Sequence, residues 1–316
     1  MAVKCDPNYR HADWSFYRYE PSTAAAVIFV ILFSVTTFVH VFQMFRTKTW
    51  YMVAFCLGGI CKALHETLLS DVTNRPVTVA EIAGYVGRAI NSTEDPGCWT
   101  LGPYVVQSVL LLIAPALMAA SIYMILSRVI LLTHGEEHAI IKRRWLTKIF
   151  VVGDIVSIQL QSAGGSMMSG ANETNNLMKI GEYVIIGGLF FQLIIFGIFI
   201  VVVSVFHRRM NRSPTNKSLE PSIRWRHYLT TLYVTSGFIW VRSLFRVIEY
   251  LDGNDGYLMR TEAFLFVFDA TLIWIVTVWM NWYHPSEIGL LLRNESPVTN
   301  GFELLPFRRR FQRVRS

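Results

Sequence analysis

Glu81, Tyr85 and Arg88 recur at i, i+4 and i+7, as do Arg242, Arg246 and Glu249. Asp154 and Gln161 are seven apart, and so are Glu262 and Asp269. A residue seven positions on lies about two turns along the same helical face. Each set therefore shares a face, and each sits in or beside a long apolar run. Ionisable groups in such runs are expensive in a bilayer, so they either pair with one another or serve a function. Glu81 with Arg88, and Arg246 with Glu249 or Glu262, read as candidate internal pairs. The acids Glu81, Asp154, Glu182, Glu249, Glu262 and Asp269 outnumber Arg88, Arg242 and Arg246. The expectation is that Asp154 and Asp269 are left over, either kept neutral or available to a cationic ligand.

The elements that must position these residues are membrane helices. Of 316 residues, 53% are hydrophobic and only 16% charged, against about 25% charged in soluble domains. One crossing takes about 20 apolar residues. The runs Ala24 to Phe45, Pro103 to Leu132, Trp145 to Gly165, Ile180 to Phe206, His227 to Tyr250 and Glu262 to Tyr283 meet that length. A second span between the first two is interrupted. Trp50 to Cys61 is apolar, Lys62, His65, Glu66 and Asp71 break it, and a weaker run follows from Glu81 to Ile90. Joined directly, the two runs make one span, so Lys62 to Ala80 reads as an insertion, either an extracellular excursion or translated intron sequence. The predicted fold is an all-α seven-helix membrane bundle. Residues 1–23 form an external segment, 24–283 the membrane domain with an extra loop at 62–80, and 284–316 a basic cytosolic tail. A soluble enzyme, a disordered chain, a disulfide-stapled domain and a β-barrel of alternating strands are excluded.

Charge sets the orientation. Lys and Arg cluster at Arg46 and Lys48, at Lys142 to Lys148, at Arg208 to Arg226 and in the tail from Arg293. The opposite loops hold Lys4, Arg10, Arg18, Arg75, Lys179 and Arg260. Positive loops stay inside, so the N-terminus is outside and the C-terminus cytosolic. The net charge of +7 then needs no nucleic acid, since topology and anionic inner-leaflet lipid account for it. In this frame Asp154 and Glu81 lie near mid-membrane. Arg88, Gln107, Gln161, Arg242, Arg246, Glu249 and Glu262 lie in the outer half, and only His40 is clearly inner. The polar residues therefore predict a cavity that opens outward. Cys5 and Cys98 fall outside and are expected to form a disulfide; Cys56 and Cys61 fall in the membrane and should stay reduced.

Other chemistry is poorly supported. His134 and His138 have helical metal spacing but sit in a basic loop without a third ligand. There is no phosphate-binding loop signature, and Ser166 lacks a nucleophile-elbow frame. No enzyme activity, metal or cofactor is expected.

Taken together, the motifs resemble the fungal lipid-translocating exporter family, also called the RTA-like or aminocholesterol-resistance family. The resemblance runs from Tyr19 to Pro285. It is carried by Tyr19-Glu20-Pro21-Ser22, by Glu81 to Arg88, by Ala114-Pro115-Ala116 with Ala119 to Met124 and Arg128, and by Asp154 with Gln161 to Gly165. Gly188 with Gln192, Arg242, Arg246, Glu249, Gly253, Gly256, Glu262, Asp269 and His284-Pro285 complete it. The family runs straight from a Gly-rich helix into the Glu-x-x-Gly-Tyr motif, so Lys62 to Ala80 is a departure. The resemblance implies a plasma-membrane protein that exports or translocates sphingoid long-chain bases or sterol-like amphiphiles, with tolerance of toxic amphiphiles in stress. It also adds Gln192 to the polar cavity. A cationic amine beside an acidic cavity, with its tail in lipid, is consistent with that. The alternative is a seven-helix receptor for a lipid or stress ligand that does not transport. Helix ends at Ser127-Arg128-Val129 and Asn281-Trp282-Tyr283-His284-Pro285 do not follow the G-protein-coupled pattern.

The orientation predicts where sugar is attached. Asn91 or Asn172 should carry N-glycan, whereas Asn216 and Asn294 should be bare. Glycopeptide mapping checks this; a glycan on Asn216 or Asn294 would reverse the topology.

Overall fold

The computed structural model describes residues 22–47, 49–57, 101–169, 175–221, 223–253 and 256–293. Among these residues every regular element is helical, with no strand. Helix α1 spans Thr23–Thr47. A 3-10 turn at Trp50–Met52 leads into helical residues 53–57. Then come α2 (Leu101–Leu132), α3 (Arg143–Ser169), α4 (Asn175–Arg212) and α5 (Trp225–Leu251). Helix α6 spans Glu262–Trp282 and α7 is the short Ser286–Leu291. The apolar runs sit inside these helices, and the helices overshoot them. Backbone hydrogen bonding continues past the hydrocarbon slab into polar ends such as the Arg208, Arg209, Arg212 end of α4, where cations also complement the helix dipole.

Four of these helices, α1, α2, α4 and α6, are long and apolar enough to cross a membrane. At 27 residues each, α3 and α5 match that length, and at about 1.5 Å per residue they reach about 40 Å. Their hydropathy is lowered by the polar groups they carry inward, Asp154 and Gln161 on α3 and Arg242 and Glu249 on α5, all buried. The outward face of α1 is mostly apolar, with Val27, Ile31, Val35, Phe38, Phe42 and Phe45 exposed. In lipid that arrangement is stable, since the tails are as apolar as the side chains.

The core is aromatic. Tyr123 is fully buried, its ring 4.6 Å from Phe199 and 5.3 Å from Phe150. Without a hydrophobic drive between helices in lipid, close packing of small residues holds membrane helices together, and α3 against α4 is the broadest contact in the bundle. Gly164 and Gly181 meet there. A Cβ at Gly164 would lie 2.5 Å from the Gly181 carbonyl oxygen, and one at Gly181 would lie 2.7 Å from that of Gly164. The seam is a backbone-to-backbone approach that no side chain survives. Two turns along, Gly188 makes room for Gln161, whose Cγ would be 2.9 Å from a Cβ at that position.

Residues 1–21 with Cys5, Cys61, Lys62 to Ala80, Glu81, Tyr85, Arg88, Asn91, Cys98, Asn172 and Asn294 lie outside the described residues. Gln107 lies on α2, and its side chain is outside them too.

Gly164→Ala forces α3 and α4 apart and should lower the Tm of the purified protein by several degrees. Gly187→Ala, where nothing lies within 4 Å, should leave Tm unchanged or raise it by removing a helical glycine. Equal thermal melts for the two variants would contradict the packing account.

Candidate functional site

The polar side chains gather in four places. The first joins α2, α5 and α6 and begins with Pro115 inside α2. Proline has no N–H, so the carbonyl four residues earlier, that of Leu111, loses its helical donor. The guanidinium of Arg242 supplies one, with Nη2 donating to Leu111 O at 3.1 Å. The same Nη2 lies 2.6 Å from Asp269 Oδ1, with both side chains almost fully buried. Asp269 stands in a π-helical turn, Phe266–Thr271, where the Thr271 hydroxyl donates back to Phe266 O at 2.8 Å. Such wide turns are rare and change the register of the helix beyond them. Asp269 is thus the counter-ion of Arg242, which corrects the expectation of a leftover carboxyl there. Spacing along α6 alone does not reveal which α5 cation it faces.

The second place is the C-terminal end of α5. Arg246 Nη1 donates to Glu249 Oε2 at 2.7 Å, one turn along, and its guanidinium stands 5.7 Å from the Tyr250 ring centroid. This is the internal pair expected from spacing. Glu262, the other candidate partner, does something else. Both its carboxylate oxygens accept from the Ser22 backbone N–H at 3.0 Å, and Ser22 Oγ caps the first turn of α1 by accepting from Ala25 N. A carboxylate at a helix N-terminus satisfies a donor that has no intrahelical partner. Glu262 thereby ties the start of α6 to the start of α1.

The third place lies on α3. Gln161 Nε2 donates to Ser157 Oγ at 2.8 Å and to Gln192 Oε1 on α4 at 3.2 Å. This is an interhelical amide contact in the shelter that Gly188 opens. Two turns away, Asp154 accepts a hydrogen bond from the Tyr123 hydroxyl at 3.0 Å. Among the described residues no Lys or Arg pairs with it. The aromatic cage around Tyr123 fixes the direction of that hydroxyl. Asp154 forms part of the wall of a cavity of about 270 Å³ between α2 and α3, with Ala116, Leu117 and Ala120 on one side and Val151, Ile155 and Ile158 on the other. Ile155 is 51% exposed, so the cavity opens sideways between the helices. It is a mostly apolar slot whose polar wall residues are Asp154 and Gln159. An amphiphile with a cationic end would place charge on Asp154 and chain along the alanines.

The fourth place was missed by sequence reading, apart from His40. On the seam of α1 and α6, His40 Nε2 bonds Thr277 O at 3.0 Å, Gln43 Nε2 donates to Asn281 O at 3.1 Å, and Asn281 Nδ2 donates to Thr36 O at 3.0 Å. Each bond runs between helices distant in sequence, and Thr, Gln and Asn carry no charge to mark them. The one available signal was their recurrence on the His40 face of α1, as Thr36, His40, Gln43 and Thr47. Polar groups thus also occupy the end of the bundle opposite the Ser22–Glu262 contact. His134 is exposed in the loop after α2 and His138 half-buried; no group of three His, Cys, Asp or Glu able to hold a metal occurs among the described residues.

Comparison with known proteins gives a consistent picture. The profile of the family described as RTA1 like protein matches residues 77–290. Protein RTM1 of Saccharomyces cerevisiae is 35% identical over 280 residues, covering 82% of this chain and 88% of the relative. Protoporphyrin uptake protein 1 of S. cerevisiae is 35% identical over 283 residues, covering 83% and 89%. The sphingoid long-chain base transporter RSB1 of S. cerevisiae is 24% identical over 314 residues, covering 89% and 76%. No solved structure matches.

Arg242→Met removes the ion-pair partner of the buried Asp269 carboxylate and strips Leu111 O of its donor. Breaking a buried pair from one side costs about 3–5 kcal/mol, whereas replacing both partners with apolar residues is often neutral. The folded yield and Tm of Arg242→Met should fall sharply. Adding Asp269→Leu should recover most of the loss, and a single variant as stable as the parent would refute the pairing.

Proposed function

The chain belongs to the RTA1-like family, and from that premise we propose that it moves cationic, single-chain amphiphiles, such as sphingoid long-chain bases, across or out of the fungal plasma membrane. In this reading it spans the membrane seven times with the N-terminus outside, carries out no enzymatic reaction, uses no cofactor and contributes to tolerance of toxic amphiphiles. The related sequences named for sphingoid base transport and for protoporphyrin uptake differ in the charge of what their names specify. The observation that favours the cation is Asp154, a carboxylate in an apolar, laterally open slot whose described partner is the neutral Tyr123 hydroxyl. An anionic amphiphile would meet repulsion there, while an amine would gain a charge-assisted hydrogen bond. Asp269, already engaged with Arg242, belongs to the scaffold in this account. Small residues after Pro115 widen the slot, and its side opening lets a chain remain among lipid tails while the amine crosses the middle of the bundle.

The test is purified protein in liposomes with a fluorescent long-chain base, scored for movement between leaflets without ATP. Asp154→Asn keeps the size of the side chain and an acceptor for Tyr123 but removes the charge. It should slow movement of the base about tenfold, equivalent to about 1.4 kcal/mol, with little loss of folded protein. The N-acylated, uncharged counterpart should be little affected. Equal loss for both lipids would reject Asp154 as the counter-ion. Tight binding of the base without movement would favour a receptor.

A further inference from the structure

The inner end of the α1–α6 seam holds a second polar site, independent of Asp154. Its centre is the pair His40 and His284, both buried, with ring centroids 5.9 Å apart. The backbone fixes the tautomer of each ring. A carbonyl oxygen only accepts, so His40 Nε2, 3.0 Å from Thr277 O, carries the hydrogen, and Nδ1 is left with a lone pair. Ser286 N–H donates to His284 Nδ1 at 3.2 Å, so Nδ1 is the acceptor there and Nε2 carries the hydrogen. Burial, and next the charge His40 would bring, push the His284 ring down to about 3; it is neutral throughout the physiological range.

The two remaining nitrogens are complementary and unused. His40 Nδ1, an acceptor, and His284 Nε2–H, a donor, are buried without a hydrogen-bond partner. Buried polar atoms are rarely left unpaired in native proteins, and a bound water or ligand is the usual partner. Gln43 Oε1 and Asn281 Oδ1 on the same seam, Thr37 Oγ1 on α1 and Ser286 Oγ at the start of α7 are unpartnered as well. A group that both donates and accepts through one oxygen would join the two rings, with hydrogen bonds of about 2.7–3.0 Å on each side. A metal ion does not fit. It would need a lone pair on His284 Nε2 while Nδ1 also serves as acceptor, and neutral imidazole has only one such nitrogen.

We propose that His40 and His284 together bind a hydroxyl group, which accepts from His284 Nε2–H and donates to His40 Nδ1. The hydroxyl comes from water or from a lipid alcohol entering along the seam.

The experiment uses the full chain with 15N-labelled histidine in lipid nanodiscs. The loop residue His138 serves as the control resonance. Both His40 and His284 should report the Nε2–H tautomer. Magnetisation transfer from water to His284 Nε2–H identifies water as the occupant. A shift of both resonances on adding 1-octanol, absent with octane and absent at His138, identifies an alcohol. His284→Asn keeps an oxygen to accept the Ser286 N–H but stops short of the bridging position, so the His40 response to the same probe should be lost. An Nδ1–H tautomer on either ring would overturn the proposal. So would the absence of both water transfer and an octanol shift, or a His40 response unchanged in His284→Asn.

Discussion

The guanidinium of Arg242 is the contact on which much of the bundle depends. Pro115 breaks the hydrogen-bond ladder of α2 and frees the carbonyl of Leu111, a defect that cannot be left open in lipid. Arg242 closes it from α5. A buried arginine in turn needs an anion, and Asp269 provides one from α6 through a π-helical turn. Three helices are therefore fixed relative to one another by a single side chain. Each feature that looks unfavourable in isolation, a proline in mid-helix, a charge in the membrane or a distorted turn, is satisfied by the next.

That locking explains how the same bundle holds an open slot. The α3–α4 seam is closed by glycine backbones in contact, and the α1–α6 seam by amide and imidazole bonds to backbone. Between α2 and α3 the slot is lined after Pro115 by Ala116, Leu117 and Ala120, and the facing side of α3 presents Asp154 beside Val151, Ile155 and Ile158. A rigid frame around a narrow, laterally open space lets one acid keep a neutral partner.

The acids illustrate how one residue type takes on different work. Glu262 caps α1, Glu249 pairs within its own helix, Asp269 balances Arg242, and Asp154 faces a slot. Their chemistry is the same; what differs is the nearest donor, and that is set by helices far apart in the chain.

The sequence by itself determined the all-helical character and the positions of most spans, because about 20 consecutive apolar residues have few alternatives. It also picked out Asp154, Gln161, Arg242 and Glu249 as inward-facing, because period and hydropathy place a lone polar residue on the buried side, and the structure buries all four, as it does Gln192, which the family resemblance supplied. For Arg246 it offered Glu249 or Glu262 as partner, and the structure pairs it with Glu249, one turn along the same helix. It did not assign Asp269 to Arg242, Glu262 to the start of α1, or Thr36, Gln43 and Asn281 to a common seam. Those contacts join helices separated by tens to hundreds of residues, and helical period says which face is polar but not which face it meets. Only tertiary packing chose the partners, and by pairing Asp269 with arginine it left Asp154 as the acid in the wall of the open slot.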